Sequence, residues 1–207
     1  MAHRLLILCA ASFFWMSCST SQPRVAAQEG KAQKPGPQAS VSSVQGLRSL
    51  AEQGNVEAQF NLGQAYDRGR GVPKDYVEAL RWYRLAAAQG DPFAQFHLGN
   101  HYSEGIGLPK NEKEALRWWQ LAAAQGFPPA QHSVGKVLST GSQDVPSDKI
   151  QAYVWLALSS SQGNEEAIQE RDAVSKQLTP DQFKKAKRLV NLWKPTRLSA
   201  VITKNSK

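Results

Sequence analysis

Two stretches of this chain are written nearly twice. Glu78–Gly90 reads EALRWYRLAAAQG, and Glu114–Gly126 reads EALRWWQLAAAQG at an offset of 36 residues. The segments ahead of them repeat at the same offset, Ala58–Pro73 as AQFNLGQAYDRGRGVP and Ala94–Pro109 as AQFHLGNHYSEGIGLP. A repeat of this length is one supersecondary unit, which buries its apolar side only by stacking on its neighbours. The expected fold is therefore all-α, a helical solenoid of about three to four repeats of 36 residues with capping helices at the ends.

Each unit carries the signals for two helices. Asn55 is a good N-cap, and Ala58, Leu62 and Tyr66 mark one face of the helix that follows. Gly69 suits a left-handed stop, and Gly71-Val72-Pro73 completes the turn. Asp75 with Glu78, and Asn111 with Glu114, have the spacing of a capping box at the start of the second helix. There Ala79, Tyr83 and Ala86 line one face, with Trp82 and Leu85 expected to fill the space between units. Asp91-Pro92 restarts the cycle as N-cap and first helical residue. A third unit from Gly126 takes one extra residue near Gln143–Val145. A fourth, from Gly163, diverges into a helix to about Leu178 and a last helix opened by Thr179-Pro180-Asp181-Gln182.

The pattern AQxxLGxxYxxGxGVPxDxxEALxWYxLAAxQG resembles the Sel-one-like repeat family, relatives of the tetratricopeptide repeats. The first two units satisfy it nearly throughout; the third has Val134 for Leu and Leu138 for Tyr. The resemblance covers roughly residues 43–193 and implies a right-handed α-solenoid of antiparallel helix pairs, used as a non-enzymatic scaffold that binds a protein or peptide in its concave groove. It names no partner and no cofactor.

The ends read differently. Residues 1–18 carry Arg4 and an apolar run from Leu5 to Met16, too short to span a bilayer and suited to an export signal. Met16-Ser17-Cys18-Ser19 resembles the lipobox of bacterial lipoproteins, which implies lipid on Cys18, although Trp15 stands where an aliphatic residue is usual. Cleavage after Ala27 is the rival. The chain is thus expected to be exported, periplasmic and lipid-anchored to the outer membrane. Cys9 and Cys18 are its only cysteines, so the repeats carry no thiol. Residues 19–43, rich in Ser, Gln, Pro and Gly, read as a flexible tether, residues 44–193 as the repeat domain and residues 194–207 as a basic tail.

The net charge of +8 is not spread evenly. From Gly54 to Gln162 there are ten Lys/Arg and ten Asp/Glu, whereas from Asp181 onward eight Lys/Arg face that single acid. The basicity is thus a C-terminal feature, and Lys184, Lys185, Lys187, Arg188 and Lys194, expected on the last helix, suit a solvated outer face, or an anionic phospholipid surface or other polyanion, rather than specific nucleic-acid recognition.

A partner surface is expected on the first helix of each unit, off its core face. Asn61, Gln64 and Arg68 correspond there to His97, Asn100 and Glu104 and to Ser133, Lys136 and Thr140, with His101 one turn beyond His97. These slots change chemistry while the frame around them does not. His97 and His101 have a spacing able to hold a metal, but the equivalent residues Asn61 and Ala65 are not ligands. His132 takes the slot of Phe60 and Phe96 and is expected to pack. Ser133-Val134-Gly135-Lys136 matches the S-x-x-K of penicillin-interacting hydrolases, with no S-D-N or K-T-G after it. A glycan- or peptidoglycan-binding module using the aromatic units and basic tail is the remaining alternative. The chain is expected to act as a monomer, without metal or cofactor.

Overall fold

The structure, a computed structural model, describes residues 37–196. They form α1 (Pro37–Glu52), α2 (Val56–Arg68), α3 (Tyr76–Ala88), α4 (Pro92–Glu104), α5 (Glu112–Ala124), α6 (Pro128–Thr140), α7 (Lys149–Ser160), α8 (Glu165–Ser175) and α9 (Pro180–Leu192). No strand occurs among the described residues. The all-α repeat fold is the one the sequence implies. The export signal, Cys18 and most of the tether and basic tail lie outside the described residues. Helix α1 begins at Pro37, within the segment expected to be tether.

The helices pair as α2–α3, α4–α5 and α6–α7, and each pair packs on the next through α3–α4 and α5–α6. Asn55, Asp91 and Asn164 cap their helices with side-chain oxygens that accept the N–H three residues on. Gly69 and Gly105 end α2 and α4 at φ 66° and 74°, the left-handed conformation their sequence position called for. Where the extra residue enters the third unit, Gly141 keeps a positive φ of 70° but turns to ψ 173° instead.

Two expectations need correction. Asp75 and Asn111 do cap α3 and α5, but the capping box is only half made. The N-cap amides already donate to Tyr66 O and Tyr102 O at 3.0 and 2.8 Å, which ties each second helix to the first. Glu78 and Glu114 turn instead to Arg81 and Arg117 at 3.3 and 3.0 Å. Leu85 does not fill the space between units, being 42% exposed. It lies on the outward stripe of α3 with Arg81, Arg84 and Ala88, at i, i+3, i+4 and i+7. Trp82 does fill that space, packed with Ala51, Ala58 and Leu62.

The repeated glutamines have a structural role. Gln59, Gln95 and Gln131 are buried, and each Nε2 donates to the carbonyl of Ala51, Ala87 or Ala123 at the end of the preceding helix, at 3.0–3.2 Å. Each Oε1 accepts from Gln89, Gln125 or Gln162 at the end of the following helix, at 2.8–2.9 Å. One buried amide thus links three consecutive helices, and the ladder recurs in the first three units. Gln95→Leu keeps the volume but strips Gln125 and Ala87 of a partner. Chemical denaturation is expected to show a loss of about 2 kcal/mol, and an unchanged midpoint would refute the ladder's role.

Candidate functional site

The first helices of successive units lie side by side, and an aromatic ladder crosses them. The Phe60 ring centroid on α2 is 5.7 Å from Phe93 and 5.5 Å from His97 on α4. Phe127, at the start of α6, stands edge-on to Phe93 at 4.9 Å and to Phe96 at 5.5 Å. Phe93 is 49% exposed. A hollow of about 380 Å³ opens beside it, lined by Val56, Glu57, Phe60, Asn61, Asp91 and Phe93.

The ladder breaks a local rule. Asn55, Asp91 and Asn164 occupy N-cap positions of α2, α4 and α8, but α6 has Phe127 there, with no side-chain cap bond. Loss of such a cap costs about 1 kcal/mol. What Phe127 supplies instead is a ring against Phe93 and Phe96.

Beyond α6 the surface becomes charged. His132 packs as its slot implies, its side chain only 13% exposed, but unlike the phenylalanines it is also paired with acids. Its Nε2 is bonded to Glu170 Oε2 of α8 at 2.9 Å, and its Nδ1 is 3.9 Å from Glu166. Lys136 Nζ also lies 3.9 Å from Glu170. A second hollow, of about 440 Å³, is lined there by Lys136, Thr140, Lys149 and Glu170 among others.

The strip read from sequence divides into surface and structural positions. Arg68, Glu104, Lys136 and Thr140 are exposed, and Asn61, Gln64 and Ser133 are half-buried. Asn100 is partly committed, since its Oδ1 accepts the Trp119 indole N–H at 3.0 Å. His97 is stacked on Tyr83 at 5.2 Å, and burial holds its pKa below the usual histidine range.

His101 is not a surface residue. It is 4% exposed; its Nδ1 is bonded to Ile106 O at 2.9 Å and its Nε2 lies 3.4 Å from Asp67. Asp67 in turn accepts the Tyr83 hydroxyl at 3.4 Å, and burial raises the pKa of that phenol. The two histidines therefore serve the packing of α2, α3 and α4, and among the described residues no group of three His, Cys, Asp or Glu is placed to hold a metal. Lys136 Nζ lies 3.9 Å from Glu170, and among the described residues no hydrogen bond joins Ser133 to Lys136, the contact an activated serine needs.

Sequence reading missed exposed Phe93 and half-buried Phe127 as parts of this surface. The available signal was the aromatic at an N-cap slot that is Asn or Asp in the neighbouring units.

A Sel1 repeat model matches residues 56–91, 92–127 and 128–164. The crystal structure of a Sel1 repeat protein from Oxalobacter formigenes is 37% identical, with a TM-score of 0.59, and the alignment covers 63% of this chain and 98% of that one. The crystal structure of c5321, a protective antigen of uropathogenic Escherichia coli displaying an SLR fold, is 28% identical with a TM-score of 0.56. That alignment covers 81% of this chain but 44% of the antigen, so the chain spans less than half of that protein. No curated protein matches the chain.

Proposed function

The chain belongs to the Sel1 repeat family, whose members generally mediate protein–protein interaction, and we propose that it is a non-enzymatic adaptor binding a protein segment along its first-helix face. An apolar side chain of the partner enters the hollow between Val56, Phe60 and Phe93. Polar groups of the partner meet Lys136 and Glu170 farther along. The observation that carries this reading is Phe127, where a helix cap is given up for a ring that extends the exposed aromatic surface of Phe93. Local rules are broken chiefly at functional positions, where the cost is met elsewhere, and here the Phe127 ring also packs against the core beside Phe96.

In this reading the adaptor works in the bacterial cell envelope, held by lipid on Cys18. The apolar run Leu5–Met16 and the Met16-Ser17-Cys18-Ser19 sequence support that placement.

Site-specific photo-cross-linking in cells tests the surface. A cross-linker at Asn61, Phe93 or Ser133 is expected to capture the same protein, and one at Arg84 or Gln120, exposed on the second helices, is expected to capture none of it. Capture of that protein equally from both sets, or no reproducible capture from the first, would overturn the proposal.

A further inference from the structure

The outer face of α9 is built unlike the rest of the molecule. Its apolar side closes the stack: Ala186 is fully buried, Phe183 stands edge-on to Tyr153 at 5.2 Å, and Trp193 meets Trp155 at 6.4 Å. On the other side Lys184, Lys185, Lys187 and Arg188 are all exposed. At 100° per residue these four cations spread over about 160° of the helix surface. None of them forms an ion pair among the described residues. Asp181 is the one acid on α9, placed in the first turn where the helix dipole favours it.

Leu192 is the second observation. It is 63% exposed, and the same geometry puts it between Arg188 and Lys185, inside the cationic arc. A capping helix needs only a polar outer face, which the repeats achieve with equal numbers of both signs. A single-sign arc repels itself, and an open leucine within it gains nothing from water.

We propose that this face docks on an anionic phospholipid surface, with the four cations on the headgroups and Leu192 in the interfacial layer. That partner is complementary to both features at once. A soluble polyanion would answer the charges and leave Leu192 unexplained. Among the described residues no helix is long and apolar enough to cross a membrane, so contact through this face is peripheral. The site is separate from the first-helix surface, and neither proposal depends on the other.

The test is co-sedimentation of the full chain with vesicles of phosphatidylcholine alone or with one third phosphatidylglycerol. Wild type is expected to prefer the anionic vesicles. The Lys184→Gln/Lys185→Gln/Arg188→Gln variant should bind them roughly 100-fold more weakly, at about fivefold per charge. Lys184→Arg/Lys185→Arg/Arg188→Lys should retain binding, which separates charge from folding. Leu192→Ser should weaken vesicle binding several-fold while leaving retention on immobilised polyphosphate unchanged. Binding to phosphatidylcholine alone reads what the apolar run near the N-terminus contributes, and the anionic preference of each variant is taken relative to it. Equal binding of the Gln variant and wild type to anionic vesicles would overturn the proposal. So would a Leu192→Ser variant that binds them as wild type does, which would make the face a general polyanion site.

Discussion

Gly99→Ala is expected to lower the unfolding free energy by about 3 kcal/mol, a large loss for one methyl group. Gly99 is buried in α4, and a Cβ there would lie 2.4 Å from Trp119 Cδ1 and Nε1. The indole has little freedom to withdraw, because its N–H is held by Asn100 and its body is packed in the core with Ala115 and Ala122. The contact recurs in the first and third units: a Cβ on Gly63 would meet Tyr83 at 2.6 Å, and one on Gly135 would meet Leu156 at 2.6 Å. Closeness of the paired helices thus depends on a missing side chain opposite a large one. Gly46, inside α1, has nothing within 4 Å of its would-be Cβ. There the same substitution should stabilise by roughly 0.5–1 kcal/mol through helix propensity. Urea denaturation of both variants checks the pair; a Gly99→Ala midpoint equal to wild type would mean the helices do not approach as closely as described.

The repeat architecture was legible because periodicity is a property of the chain alone. Offsets of 36, turn glycines and capping residues located α2 to α7 before any contact was known. Pairing across helices was less legible. The LG of each unit marked a position, but only the structure sets Gly99 against Trp119. Likewise, the glutamines of AQ and AAAQG lie some 30 residues apart in the chain, and nothing local says that Gln95 and Gln125 share a hydrogen bond. Glu78 had the spacing of a capping box, yet the Asp75 amide it would have accepted from is taken by Tyr66 O. Competition of that kind is tertiary and has no signature in a window of four residues.

The candidate site was half legible for a similar reason. Counting turns on the first helices found Asn61, Lys136 and Thr140, which do lie on the surface. It also took in His101, whose ring is drawn inward by Asp67 and Ile106 O. Phe93 and Phe127 fell outside the count because they sit in the first turn and at the cap. Aromatic residues there look like core until the neighbouring helices are in place.

Phe93→Asp is expected to weaken binding of the partner captured at Asn61 and Phe93 by roughly 30-fold or more. The basis is the cost of about 2 kcal/mol typical when a central aromatic anchor is removed. Little stability should be lost, because the ring is half in solvent already. Phe127→Asn separates the two effects further. It offers α6 the cap it lacks, worth about 1 kcal/mol against the apolar contact given up, and so should leave the melting temperature near that of wild type while still weakening the partner. The most direct measurement is a calorimetric titration of the purified partner into wild type, Phe93→Asp and a Gln120→Asp control on the second-helix face. Binding through the first-helix surface predicts a large loss for Phe93→Asp alone; equal affinity of Phe93→Asp and wild type, or an equal loss in the control, would contradict it.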